Sequence, residues 1–133
     1  MTRALLLLPA AGAATIALSA AQPASALHQV QGGLWEISGA QAGSPVRQCV
    51  ADAAVMARFE HRSNSCSART LRDSGNLVEI DYSCGGAGFG HSQMTVLTPR
   101  SVRIETQGIS GGLPFNYVLQ ARRIADCSTA SRH

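Results

Sequence analysis

The four cysteines are the first residues in this sequence whose spacing can be tested against a chemistry. They stand at positions 49, 66, 84 and 127, separated by 16, 17 and 42 residues. Redox catalysis favours a C-x-x-C pair, and zinc ribbons and fingers use closely spaced ligands, but no such spacing is present. Structural disulfides are therefore favoured over a metal or redox site, and four cysteines allow three pairings.

The segment from Cys66 to Cys84 selects among these pairings if it forms a β-hairpin. Residues 74–76, Ser-Gly-Asn, supply a three-residue loop with a glycine available for a positive φ. In this hairpin the sequence numbers of two residues that face each other add up to 150, so Cys66 faces Cys84. Directly opposed Cα atoms lie about 4.5 to 5.5 Å apart, which is within the disulfide range. The register predicts a Cys66–Cys84 bridge and leaves Cys49 to pair with Cys127.

The same register separates an apolar face of the hairpin from a polar face. On the polar side, Arg69 lies opposite Asp81 as a cross-strand ion pair. The expected pairs on the inner side are Ala68 with Tyr82, Thr70 with Ile80, and Arg72 with Val78. This alternation is typical of a half-buried sheet, with one arginine near the turn as the exception.

Serine hydrolysis is a second candidate chemistry, because "GISGG" at 108–112 satisfies the G-x-S-x-G pattern around Ser110. That nucleophile elbow requires a strand leading directly into a helix, whereas Leu113 and the proline after it begin a strand pattern. His61 and His91 are the histidines away from the chain ends that could act as a base. A serine hydrolase using Ser110 with His61 or His91 is therefore kept as the alternative function.

Short alternating strands make up most of the remaining sequence. The first, "GLWEIS" at 33–38, places Trp35 and Ile37 on one face, and we expect Trp35 to be buried in the core. "PVRQCV" at 45–50 follows a turn and forms the next strand.

One segment has helical periodicity instead. In "DAAVMARFEH" at 52–61, three apolar side chains recur at helical spacing, namely Val55, Met56 and Phe59. Asp52 is placed to cap the first turn. We expect one short helix that covers the sheet.

The second half of the chain predicts another hairpin and a long last strand. In residues 93–107, opposed residues sum to 200 around a loop at 99–101, so Val96 faces Ile104 and Met94 faces Thr106. Residues 108–112 are expected to form a flexible connection. The last strand, at 114–124, has four apolar residues on one face: Phe115, Tyr117, Leu119 and Ala121.

These elements indicate a mainly β fold. About seven antiparallel strands, joined mostly by hairpins, predict a meander that twists into a curved sheet or partly closed barrel with one short helix, stapled by disulfides. The glycines of "GGAGFG" at 85–90 are expected to form a bulge or tight bend in that sheet. An immunoglobulin-like sandwich is the competing architecture, but Trp35 precedes the first cysteine, contrary to the order in immunoglobulin domains.

The N-terminal residues have the pattern of a secretory signal peptide. Arg3 precedes a long apolar run, and "ASA" at 24–26 matches the A-x-A cleavage signal. Residues 1–26 are therefore expected to be removed, leaving one exported domain at 27–133 that is periplasmic or secreted. A retained anchor is the alternative, but Pro9, Gly12 and Pro23 interrupt the apolar run and the A-x-A pattern suits cleavage. No later stretch approaches the roughly 20 apolar residues of a membrane span, so no span is expected after cleavage.

Composition excludes several classes of partner and enzyme. The sequence has no lysine, which excludes a Walker phosphate loop and a Schiff-base enzyme. The net charge of +3, or +2 once Arg3 is removed, is too small to argue for nucleic acid or an anionic membrane. We expect no cofactor, no metal and no nucleic-acid partner.

An ordered set of residues resembles a known family. Its members are "GLWE" at 33–36, Cys49 before a short helix, Cys66, "YSCGG" at 82–86 and "ADC" at 125–127. This set resembles small exported bacterial proteins catalogued as domain of unknown function 3617. The family often ends in Gly-Asp-Cys and is richer in methionine, so Ala125 is a departure. The resemblance implies an extracytoplasmic protein with no established activity, and it transfers no functional residue.

A noncatalytic envelope protein is the leading functional hypothesis. Its curved sheet would offer an apolar concavity to a small apolar ligand or peptide, lined by inward side chains, namely Tyr82, Val96, Ile104, Tyr117 and Leu119. The alternative is that these side chains pack against the helix residues Val55, Met56 and Phe59 and leave no cavity.

Overall fold

The seven strands form one open antiparallel sheet in the order β2-β1-β7-β6-β5-β4-β3. The structure is a computed structural model that describes residues 9–19, 24–39 and 43–128. The strands are β1 Gly33–Ser38, β2 Val46–Val50, β3 Ser67–Ser74, β4 Leu77–Ser83, β5 Gly88–Thr98, β6 Ser101–Ser110 and β7 Leu113–Ala125. The mainly β fold class is confirmed. Only β3 to β7 form a continuous meander, because β1 pairs with β7 and carries β2 on its other side.

A 3₁₀ helix, Ala53–His61, connects the two edge strands and covers one face of the sheet, here called the inner face. It contacts β2, β4, β5 and β6. The Asp52 side chain caps its first turn by accepting a hydrogen bond of 2.9 Å from the Ala54 N–H. Met56 and Phe59 are buried against the sheet. The sequence predicted this cap and apolar stripe correctly.

The inner face is a filled core. Among the side chains expected to line a concavity, Ile104 and Leu119 are fully buried, and they belong to one cluster with the helix. Of the two alternatives given by the sequence, packing against the helix is the one observed. Trp35 is also fully buried, and its Nε1 donates a 3.0 Å hydrogen bond to the Gln31 carbonyl. The predicted burial of this tryptophan is confirmed.

The β3–β4 hairpin has the expected register at one end and a different one at its turn. Residues 67–70 pair with 80–83 as predicted. A β-bulge at Leu71 then shifts the register, so that Arg72 faces Glu79 and not Val78, and the loop shortens to Gly75–Asn76 with a φ of 63° at the glycine. The extra residue moves Arg72 off the apolar side and puts Asp73 opposite the buried Val78 in its place, so the polar exception in the pattern is now an aspartate.

The predicted register of the β5–β6 hairpin is wrong by two residues. Met94 faces Ile104 and Val96 faces Val102, with a bulge at Leu97. The turn contains only residues 99 and 100. Because side chains alternate with a period of two, a shift of two leaves the inner face with the same residues.

Residues 108–112 are not the flexible connection that the glycines suggested. Gly108 to Ser110 belong to β6 and pair with β5 and β7. Only Gly111 and Gly112 form the turn, with φ values of 57° and 79° that favour glycine at both positions. The segment is a tight hairpin.

A disulfide ties each edge strand of the sheet. The Sγ atoms of Cys66 and Cys84 are 2.04 Å apart, and those of Cys49 and Cys127 are 1.96 Å apart. This is the pairing that the hairpin register predicts. On β1, Leu34 faces both Cys49 and a residue of β7, so the second bridge joins β2 to the end of β7 across β1.

The expected signal peptide is only partly covered by the structure. Residues 1–8 and 20–23 lie outside the described residues. Within the described parts of the chain, no helix is both long enough and apolar enough to span a membrane.

Candidate binding cleft

A cleft of about 640 Å³ opens where β4, β5, β6 and β7 meet near one end of the sheet. Side chains alternate between the two faces along each strand, and this alternation assigns six of the lining residues to the outer face, the face opposite the helix: Asp81, Phe89, His91, Gln107, Ile109 and Asn116. The other four form a single cross-strand row of inner-face parity: Tyr82, Gly90, Gly108 and Phe115.

The two glycines of that row are required by close contacts. A Cβ atom at Gly90 would lie 2.5 Å from the ring of Tyr82, and one at Gly108 would lie 2.1 Å from the carbonyl oxygen of Phe89. The Tyr82 ring therefore covers the Gly90 position, and the Phe115 ring approaches Gly108 in the same way. The missing side chains leave room for the aromatic rings to approach the backbone closely, as expected for glycine in a strand interior. The sequence predicted a tight bend at 85–90, and residues 85–87 do form a 3₁₀ turn before β5.

A polar row crosses the outer face with one residue from each of five strands: Arg69, Asp81, His91, Gln107 and Asn116. The Asp81 carboxylate accepts a 2.6 Å hydrogen bond from His91 Nδ1 and lies 3.9 Å from Arg69 Nη2. Since the carboxylate can only accept, Nδ1 carries the proton. The Nε2 atom of His91 is then the ring nitrogen left for a ligand, because within the described residues nothing hydrogen-bonds to it.

The end of the cleft beyond this row is apolar and exposed. Phe89 is 55% exposed although its strand, β5, has neighbouring strands on both sides, and it pairs with Ile109 of β6. Ile109 in turn pairs with Pro114, and Leu113 beside it is 71% exposed. Aromatic and aliphatic side chains left in water next to a cleft are a feature of binding sites.

A second, more polar depression of about 330 Å³ continues the cleft along the outer face. It shares His91, Gln107 and Asn116 with the first and adds Gln93 and Glu105. The outer face therefore grades from apolar side chains through amides and a histidine to a carboxylate. A ligand lying along it would need both an apolar part and hydrogen-bonding groups.

The inner side of the same region holds one buried phenol, that of Tyr82, and one half-buried phenol, that of Tyr117. Burial raises the pKa of Tyr82 to about 12. Burial also raises the pKa of Tyr117, and the hydrogen bond of 2.6 Å that its hydroxyl donates to Glu60 raises it further. Both tyrosines therefore stay protonated at neutral pH.

His61 is part of this inner cluster and is not a free base. It is 1% exposed, its Nε2 lies 3.1 Å from the Ala87 carbonyl, and its Nδ1 lies 3.0 Å from the Tyr82 hydroxyl. The carbonyl can only accept, so Nε2 carries a proton, and in the Nε2–H tautomer the Nδ1 lone pair accepts from the phenol. Ser110 faces Gly88 near this ring, but both ring nitrogens are already used.

His91 does not serve Ser110 either. His91 pairs with Gln107, which lies three residues before Ser110 on β6. Three residues of a strand span about 10 Å and reverse the face, so the two side chains point to opposite sides. The cleft itself is lined by no serine or cysteine among the described residues. Neither His61 nor His91 is therefore placed so that a free ring nitrogen could take the proton of the Ser110 hydroxyl.

The Asp81–His91 pair was missed by the sequence reasoning. It depends on the β4–β5 register, in which the sequence numbers of facing residues add up to 172, so that Asp81 faces His91 across the turn at 85–87. A search for that register would have placed Tyr82 opposite Gly90, an aromatic–glycine pair that signals close approach. No group of three histidine, cysteine, aspartate or glutamate side chains within the described residues is arranged to hold a metal.

Comparison with known proteins places the chain in a family without giving it an activity. No curated protein and no solved structure matches the chain. The family model described as "Protein of unknown function (DUF3617)" matches residues 30–127, which include all seven strands and all four cysteines. The chain therefore belongs to the DUF3617 family of proteins of unknown function.

Proposed function

We propose that this protein is an exported, noncatalytic binding protein that holds a small ligand, or part of a short peptide, in the outer-face cleft. The ligand has an apolar part, which contacts Phe89 and Ile109, and a hydrogen-bonding part, which contacts His91, Gln107 and Asn116. Export to the periplasm or the medium is supported by the signal-like N-terminus and by two disulfides, which persist in oxidising compartments.

The observation that carries this proposal is the exposed Phe89 at the edge of a cleft whose polar groups converge. The core does not need this side chain, because the inner face of β5 is already filled by Ser92, Met94 and Val96. Leaving part of a phenyl ring in water has a free-energy cost, and a ligand that covers the exposed half of Phe89 recovers about half of the roughly 1.5 to 3 kcal/mol gained by burying a whole Phe side chain.

A thermal-shift screen tests the proposal. Fatty acids, sterols and short apolar peptides are added to the folded protein, and a binding ligand raises the melting temperature by mass action. At a ligand concentration one hundred times Kd, the expected stabilisation is about 2.7 kcal/mol.

Two matched variants locate the binding site. Phe89→Ser changes the cleft, whereas Leu97→Ser changes a residue on the same strand that is exposed to nearly the same extent, 55% against 56%. We expect Phe89→Ser to weaken the ligand-dependent shift and Leu97→Ser to preserve it. Equal losses in the two variants, or no shift with any compound, would contradict the proposal.

A further inference from the structure

The segment before β1 is docked on the sheet through Asp73, near the turn end of β3. The Asp73 Oδ1 atom accepts hydrogen bonds from the backbone N–H groups of Ala26 at 2.6 Å and of Leu27 at 3.1 Å. Its Oδ2 atom accepts a third from the Ser25 hydroxyl at 2.5 Å. A further contact holds the same segment against the β3–β4 turn, where Gln29 Nε2 donates a hydrogen bond of 3.0 Å to the Gly75 carbonyl.

The three donors coincide with the cleavage signal found in the sequence. The A-x-A pattern at 24–26 places the expected scissile bond between Ala26 and Leu27. Its hydrolysis consumes one water and leaves a carboxylate on Ala26 and an α-ammonium on Leu27. That ammonium forms on the nitrogen that already lies 3.1 Å from the Asp73 carboxylate.

We propose that Asp73 is the binding site for the N-terminus created by cleavage, and that the Leu27 ammonium and the Asp73 carboxylate form an ion pair in the mature protein. Cleavage removes two of the donors to Asp73, the Ser25 hydroxyl and the Ala26 N–H. The ammonium replaces them, since it carries three N–H donors and a positive charge. Leu27 and Val30 remain packed against the core and hold the new terminus in place.

The same geometry fixes the order of cleavage and folding. Ala26 is fully buried, and its carbonyl accepts a hydrogen bond from the Gln29 N–H. A peptidase cannot reach the bond that follows a buried residue. Cleavage therefore precedes the docking of this segment, as it does when a signal peptide is removed during export.

The absence of lysine gives a selective test. The α-amine is the only primary amine of the mature chain, so an acetylating reagent neutralises that group alone. The exported protein is first sequenced from its N-terminus, where the proposal requires Leu27. Acetylation is then expected to lower the folding equilibrium constant about five-fold, the usual size of a modest ion pair.

Two variants test whether the effect of acetylation depends on Asp73. In Asp73→Asn the effect of acetylation should disappear, whereas in Asp52→Asn, which neutralises a carboxylate at the helix cap but keeps an oxygen that can accept the Ala54 N–H, it should persist. An N-terminus upstream of Leu27, or the same acetylation effect in Asp73→Asn as in the unmodified sequence, overturns the proposal. If Asp73→Asn does not fold, the acetylation rate decides: the amine of the folded chain should react more slowly than that of the unfolded chain, and equal rates overturn the proposal.

Discussion

Tyr82 of β4 and His61 at the end of the 3₁₀ helix are joined by a buried hydrogen bond of 3.0 Å between the phenol oxygen and Nδ1. Since the other ring nitrogen donates to the Ala87 carbonyl, the phenol is the donor to Nδ1 in the Nε2–H tautomer. The bond connects the helix to the sheet beside the cleft, and it also keeps this histidine from acting as a base.

Removing the phenol hydroxyl should therefore destabilise the protein. Tyr82→Phe leaves Nδ1 of His61 buried without a donor, and we expect the free energy of unfolding to fall by roughly 1 to 3 kcal/mol. Urea denaturation followed by Trp35 fluorescence measures this change. Tyr117→Phe is the control, because its partner Glu60 is less buried and can turn to water, so its loss should be smaller. Identical stabilities of Tyr82→Phe and the unmodified protein would contradict the assigned hydrogen bond.

Stability should also fall at alkaline pH. Burial raises the pKa of Tyr82 from 10.0 in the unfolded chain to about 12 in the folded one. The folded state therefore holds this proton more tightly, and the resulting stabilisation is complete below pH 10 and is lost as the pH rises towards 12. Both tyrosines of the sequence are buried or half-buried with raised pKa values, so tyrosinate absorbance should appear together with unfolding. A tyrosine that ionises near pH 10 while Trp35 stays buried would refute this expectation.

The glycine under the Tyr82 ring should not tolerate a side chain. Gly90→Ala places a Cβ atom 2.5 Å from that ring, so the ring must move, and we expect a loss of about 1 to 3 kcal/mol in unfolding free energy. Gly86→Ala is the matched control, since no atom lies within 4 Å of the added Cβ. Chemical denaturation of both variants checks the difference. Equal stabilities would mean that the Tyr82 ring does not occupy the Gly90 position.

Local patterns predicted much of the fold because they report side-chain alternation directly. The strand pattern around Trp35, the cap at Asp52 and the opposed pair Cys66 and Cys84 each follow from residues close in sequence or in one hairpin. The bulges at Leu71 and Leu97 could not be predicted in the same way. Each shortens a turn to two residues, and that choice depends on the twist of the whole sheet.

The location of the cleft could not be predicted because it depends on long-range pairing. Sequence reasoning placed a ligand on the concave inner side, but the helix fills that side with Met56 and Phe59. The outer face acquires its polar row only when five strands align in register. His91 and Asp81 belong to different strands joined through a glycine turn, and neither carries a local signal of pairing.

Loss of the two disulfides should have unequal effects. The Cys49–Cys127 bridge closes a sequence separation of 78 residues and the Cys66–Cys84 bridge one of 18, so the chain-entropy model gives about 4.5 and 3 kcal/mol. The structure adds a second reason. The five-residue β2 is bonded only to β1 at the sheet edge, whereas the eight-residue β3 keeps a long hairpin with β4.

Double alanine variants of each pair test this difference. We expect Cys49→Ala/Cys127→Ala to be the less stable protein in urea, with hydrogen-exchange protection lost first in β2. Cys66→Ala/Cys84→Ala should retain protection in β2 and fray only near the start of β3. If Cys66→Ala/Cys84→Ala were instead the less stable protein, local packing around Cys84, which is 9% exposed, would outweigh loop entropy. The Cys49–Cys127 bridge would then not be the disulfide that stabilises this sheet most.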